Sequence, residues 1–114
     1  MAIGFIGGGI MAEAIIRGVL NQKVIPDSDF LISELVESRR KFLKDNYKIN
    51  VTSNNIELVE KSDVIILCVK PQNLLNVAKE LQGSLRADQL LISILAGISI
   101  DKLIDQFGHN KVIR

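Results

Sequence analysis

The sequence predicts an α/β fold: a doubly wound, mostly parallel sheet with helices on both faces. Three observations carry that reading. Short apolar runs alternate with segments of helical period along the whole chain, and Gly7, Gly8 and Gly9 fall between the first run and the first helical segment. Further on, VIILCV, Val64 to Val69, is a nearly unbroken apolar run rich in β-branched residues, as expected of a central strand covered on both faces.

Each element follows from its own pattern. Ala2 to Ile6 is a short apolar strand that Gly7 interrupts. From Ile10 the spacing changes: Ile10, Ala14, Ile15, Gly18 and Val19 recur at helical intervals to about Leu20, giving strand, tight turn, helix. Asp29 to Leu35, DFLISEL, fits a second strand, with Pro26 and Asp27 in the turn before it. A helix is predicted from about Glu37 to Asn46, a short strand over Ile49 to Thr52, and a short helix through Val59 capped by Asn54 or Asn55. After VIILCV, Pro71 cannot extend the ladder but suits the first turn of a helix ending near Leu81. Leu90 to Leu95 makes a fifth strand, Ser99 to Phe107 a last helix, and Lys111 to Ile113 the start of a sixth strand. The 114 residues hold enough material for one domain and little for a second.

Composition narrows the function. With 47% hydrophobic and 24% charged residues the chain suits a folded protein, and its net charge of +1 gives no general attraction for nucleic acid or an anionic membrane. One tyrosine, four phenylalanines and no tryptophan leave few stacking platforms for single-stranded nucleic acid. The apolar runs fall well short of the roughly 20 residues that cross a bilayer, and the first residues lack a basic flank, so the expected compartment is the cytoplasm. Cys68 is the only cysteine, which leaves no internal disulfide and no thiolate cluster, and no metal site is expected.

The glycines carry the chemistry. Gly7 to Ala12, GGGIMA, fits G-x-G-x-x-A: Gly7 permits the sharp turn, Gly9 lets the backbone approach a pyrophosphate, and Ala12 allows close helix-to-strand packing. Amides at the start of the following helix would add donors and a favourable field for phosphates. No G-K-S or G-K-T follows, which speaks against a phosphate loop of the ATPase kind. A Rossmann-like, NAD(P)-binding domain over residues 1–114 is the expectation.

Glu34, at the end of the second strand, stands where an acid accepts hydrogen bonds from the adenine-ribose hydroxyls; it would repel a 2′-phosphate and favour NADH over NADPH. Arg39 and Arg40 could offset that repulsion by curling over the ribose. The turn after the fourth strand should face the same crevice, where backbone atoms of Val69 and Lys70 could border the nicotinamide or ribose while Pro71 fixes the turn; Ala96 and Gly97, after the fifth strand, give either another close-approach position on that side or a compact turn. Cys68 reads as strand filler rather than nucleophile, and His109, in FGHNK, as part of a surface turn. No catalytic residue is assigned within the 114.

Three blocks, Ile3 to Gly18, Val51 to Gln72 and Leu91 to Gly97, together resemble the N-terminal cofactor domain of the pyrroline-5-carboxylate reductase family. The V-K-P-Q turn followed by S-I-x-A-G is the more specific part of the match. The resemblance implies hydride transfer from NADPH or NADH to the imine of 1-pyrroline-5-carboxylate, giving L-proline. It also implies that Gly7, Gly9, Ile10 and Met11 line the pyrophosphate, that Asn55 reaches the adenosine ribose, and that Val69, Lys70, Pro71, Ala96 and Gly97 border the nicotinamide. Two departures stand out: Ile10 replaces the family's usual asparagine, and Glu34 with Leu35 replace an asparagine-arginine pair that fits the NADPH phosphate.

The chain stops at Lys111 to Arg114 inside what reads as a new strand, so it is expected to be part of a longer protein or its ordered portion. The family continues into a helical domain that forms a homo-oligomer and supplies much of the imino-acid site, and the 114 residues alone are expected to be inactive. The alternatives are another small NAD(P)H reductase of the β-hydroxyacid dehydrogenase type and a non-catalytic NAD(P)-sensing domain.

Overall fold

A computed structural model describes the protein at residues 1–22, 26, 29–95 and 97–114. Strands and helices alternate as β1 (Ile3–Ile6), α1 (Ile10–Gln22), β2 (Phe30–Ser33), α2 (Glu37–Tyr47), β3 (Asn50–Thr52), α3 (Asn55–Lys61) and β4 (Val64–Leu67). A 3-10 turn over Pro71–Asn73 then leads into α4 (Leu74–Leu81), followed by β5 (Leu90–Ser93), α5 (Ile100–Phe107) and β6 (Val112–Ile113).

All strand pairs among the described residues are parallel, in the order β3-β2-β1-β4-β5-β6. The chain winds outward from β1 in one direction through β3, then returns to β4 on the other side of β1. This is a Rossmann-like sheet, and the reversal between β1 and β4 opens a crevice at the strands' carboxyl ends. Register brings those ends level: Ile6 lies opposite both Ser33 of β2 and Leu67 of β4.

Alternation along each strand feeds two cores. Phe5, Phe30 and Ile32 point to one face, where Ala12 and Ile16 of α1, Leu43 of α2 and Ile49 pack on them. Ile6, Ile65, Leu67 and Leu91 point to the other, under Leu58 and Val59 of α3, Leu74, Ala78 and Leu81 of α4, and Leu103 and Phe107 of α5. Gly4 is needed where α3 crosses β1: a Cβ there would meet Ser62 Oγ at 2.2 Å and Leu58 Cδ2 at 2.7 Å.

Local chemistry sets the helix ends. Asn54, rather than Asn55, caps α3, its side chain accepting from the amides of Ile56 and Glu57; Ser99 caps α5 by accepting from Lys102 N. Gly108 ends α5 in the left-handed region at φ 62°. Asp27, expected in the turn before β2, lies outside the described residues.

Two expectations are corrected. VIILCV is central in the sheet but not covered equally: Ile65 and Leu67 are fully buried, whereas Val64 and Ile66 are only half-buried. Two helices cover one face and three the other, so the α1 side of β4 is only partly screened. His109 is not on the surface. Gly108 turns the chain inward, and His109, 6% exposed, donates from Nε2 to the carbonyl of Gln89 at 2.7 Å. A carbonyl only accepts, which fixes the proton on Nε2. The Gln89 side chain in turn donates to the carbonyls of Val59 and Ser62, tying the residue before β5 to the end of α3.

Candidate dinucleotide site

The crevice between β1 and β4 holds a cleft of about 540 Å³. Gly7, Gly8 and Gly9 form its floor at the end of β1; Ser33, Glu34, Leu35 and Val36 close the β2 side, and Cys68, Val69 and Lys70 the β4 side. Ser53 and Asn55, with Asn73, Asn76 and Glu80 from the turn and helix after β4, complete the wall.

The glycine loop is locked at its entry. Gly7 N donates to Ser33 O at 2.9 Å, and Cys68 N donates to Ile6 O at 2.8 Å, so the loop leaves the sheet between two strands already tied to it. Gly7 takes φ 99°, and a Cβ there would lie 2.9 Å from the Cys68 carbonyl oxygen. Gly8 is enclosed as well, since its Cβ would press on Leu43 and Glu34. Gly9 differs: a Cβ there would meet nothing within 4 Å. The fold does not require a glycine at position 9, whereas an approaching ligand would.

Beyond Gly9 the first bond inside α1 runs from Glu13 N to Gly9 O at 3.0 Å, which leaves the amides of Ile10, Met11 and Ala12 without acceptors inside the helix. They stand at the positive end of a 13-residue helix, the chemistry a pyrophosphate needs. Ala12 is fully buried against β1 and β2, as its small size requires. Ile10 and Met11 are 81% and 59% exposed, so this end of the helix is open to a ligand. The residues present therefore fit a dinucleotide.

Glu34 sits at the end of β2 and is already positioned. Its Oε1 accepts from Gly8 N and its Oε2 from Val36 N, each at 3.0 Å. Both arginines are committed to backbone carbonyls and not held over the cleft. Arg40 donates to Glu34 O and Leu35 O, and Arg39 Nε donates to Gly8 O at 2.6 Å while its NH2 pairs with Glu13. Asn55 is fixed from two sides, accepting from Ser33 Oγ and donating to Glu80 Oε1 at 2.7 Å.

On the β4 side, Lys70 is exposed and Val69 half-buried. Burial pushes the Cys68 thiol up to about 12, so it stays protonated at neutral pH and supplies no nucleophile.

The cleft thus brings together Gly7, Gly9, Glu34, Asn55, Val69 and Lys70 of the residues singled out in the sequence. Ile10, Met11, Pro71 and Gly97 do not line it; Gly97 holds a turn at φ 79°, and Ala96 lies outside the described residues. Sequence reasoning missed Ser33, Asn73, Asn76 and Glu80. Asn73, Asn76 and Glu80 fall at i, i+3 and i+7, a polar stripe beside the buried Leu74, Val77, Ala78 and Leu81, and that spacing was the available signal.

Comparison with known proteins accords with this geometry. Residues 2–97 match the family described as NADP oxidoreductase coenzyme F420-dependent. The chain belongs to that family. Within the NADP oxidoreductase coenzyme F420-dependent family its relatives include the pyrroline-5-carboxylate reductase of Arabidopsis thaliana, 36% identical over 98% of this chain and 41% of that protein. The enzyme of the same name from Synechocystis sp. is 37% identical over 98% of this chain and 42% of its own length. Among solved structures, the pyrroline carboxylate reductase of Plasmodium falciparum with NADP bound superposes with a TM-score of 0.84 at 29% identity, covering 99% of this chain and 40% of that one. The resemblance read from the three sequence blocks is borne out. The chain spans about two fifths of the length of the relatives it matches.

Proposed function

We propose that the chain is the coenzyme-binding part of a pyrroline-5-carboxylate reductase, which transfers hydride from NADH or NADPH to the C=N carbon of 1-pyrroline-5-carboxylate to give L-proline, the last step of proline biosynthesis. The observation that carries this reading is the cleft at the β1/β4 reversal, whose floor includes a glycine the fold itself does not need. The relatives' names and the NADP bound to the Plasmodium falciparum protein support it.

The bound coenzyme supplies the hydride. This chain's own groups bind and orient: the glycine loop and the amides of Ile10 and Met11 receive the pyrophosphate, and Glu34 accepts from the adenine-ribose hydroxyls. Asn55, held by Ser33 and Glu80, borders the same ribose, while Val69, Lys70 and Pro71, with Gly97, lie toward the nicotinamide side. The immobilised Glu34 carboxylate disfavours a 2′-phosphate, which supports a lean to NADH. The imino acid binds with help from a helical C-terminal domain, through which the protein forms a homo-oligomer in the cytoplasm. No helix among the described residues is long and apolar enough to cross a membrane.

Two measurements test the reading. The 114-residue chain is expected to bind NADH or NADPH in a calorimetric titration yet give negligible pyrroline-5-carboxylate-dependent coenzyme oxidation, because hydride transfer needs both reactants held near contact. Failure to bind either coenzyme would remove the functional assignment, and robust turnover would remove the claim that the substrate half of the site lies elsewhere. Glu34→Ala is expected to narrow any NADH advantage by about tenfold, the worth of a charge-assisted hydrogen bond. An unchanged NADH-to-NADPH affinity ratio would show that Glu34 is not the ribose acceptor.

A further inference from the structure

We propose that Glu13, a residue outside the cleft, sets coenzyme selectivity by holding the charge of Arg39 behind the glycine loop. This rests on the reading of the cleft as a dinucleotide site and adds a selectivity residue to it.

Two oppositely charged side chains converge on Gly8. Glu34 takes its amide from the cleft side, and Arg39 Nε donates to its carbonyl at 2.6 Å. Arg39 is therefore within one residue of the group that would face a ribose 2′-oxygen, where a free guanidinium would favour a 2′-phosphate. It is not free. Its NH2 meets Glu13 Oε1 at 2.7 Å, its side chain is only 26% exposed, and its guanidinium carbon lies 5.0 Å from the centre of the Phe42 ring. Neither Glu13 nor Arg39 lines the cleft.

Glu13 is itself anchored. Its second oxygen accepts from the Tyr47 hydroxyl at the last residue of α2, so one carboxylate joins the first turn of α1 to both ends of α2. These two hydrogen bonds, with the nearby positive charge of Arg17, hold the Glu13 carboxyl below its usual range, and it is ionised at neutral pH. The pair cancels the positive charge next to Gly8 while Glu34 keeps its negative charge in the cleft. The balance at the ribose position is then set by a residue on the far side of the loop.

The test is a calorimetric titration of the native protein and its variants with NADH and with NADPH. Glu13→Gln keeps the shape and a hydrogen-bond acceptor but removes the compensating charge, and the NADPH-to-NADH affinity ratio is expected to rise about fivefold, the scale of one charge acting over several ångströms near a protein surface. Adding Arg39→Ala to that variant should return the ratio to its native value. Tyr47→Phe, which leaves both charges in place, should keep the ratio near native. An unchanged ratio in Glu13→Gln, or equal weakening of both coenzymes, would overturn the proposal by reducing Glu13 to a brace. Binding of neither coenzyme by the native protein would overturn the dinucleotide reading instead. Should Glu13→Gln not fold, Glu13→Asp, one methylene short of Arg39, is expected to raise the ratio about twofold, and no rise there would overturn the proposal.

Discussion

A Gly9→Ala chain is expected to unfold within about 1 kcal/mol of the native one and to bind its dinucleotide at least about tenfold more weakly. Both halves follow from one observation. A Cβ built at Gly9 touches nothing within 4 Å, and Gly9 does not occupy the left-handed region, so alanine strains neither packing nor backbone. The added methyl projects where the loop is open, beside the amides of Ile10 and Met11. Phosphates kept from those amides lose charge-assisted hydrogen bonds worth about 1.5–3 kcal/mol each, and losing one is already tenfold or more. Thermal unfolding followed by circular dichroism, beside calorimetric titration of the same sample, reads both quantities. Native affinity in a folded Gly9→Ala chain would mean that the loop is a turn and nothing more.

The sheet was legible because each strand carries its own signal. β1, β2, β4 and β5 are short apolar runs bounded by turn formers, and parallel order follows from their alternation with helices. Boundaries drifted by a residue or two, and the Pro71 segment begins as a 3-10 turn instead of an α-helix. Half of the site was equally readable: G-x-G-x-x-A and an acid at the end of β2 have fixed places in this topology. What spacing could not supply was the partner of each charged side chain. Arg39 and Arg40 looked free to reach a phosphate, but Arg39 finds Glu13 and Gly8, 26 and 31 residues away, while Arg40 turns back onto the loop it follows. His109 misled for the same reason. A polar tetrapeptide says surface, yet the carbonyl that accepts its hydrogen bond belongs to Gln89, just before β5 and 20 residues earlier.

Gly7→Ala is expected to cost about 3 kcal/mol of stability, lowering the melting temperature by roughly 10–15 °C, and to abolish coenzyme binding as a consequence. At φ 99° an L side chain is strained wherever its Cβ points, and here it points at backbone: 2.9 Å from Cys68 O, 3.0 Å from Cys68 C and 3.2 Å from Val69 N. A flexible side chain could move aside, whereas this stretch is fastened by the bond from Cys68 N to Ile6 O. Relief requires parting β1 from β4 or breaking the bond from Gly7 N to Ser33 O, and either opens the crevice from which the cleft is made. The two neighbouring glycines therefore make opposite demands on one experiment. Gly7→Ala should lose stability and binding together, Gly9→Ala binding alone. A Gly7→Ala protein melting within about 3 °C of native would show that β4 yields to the loop, and the fixed geometry assigned to the site would go with it.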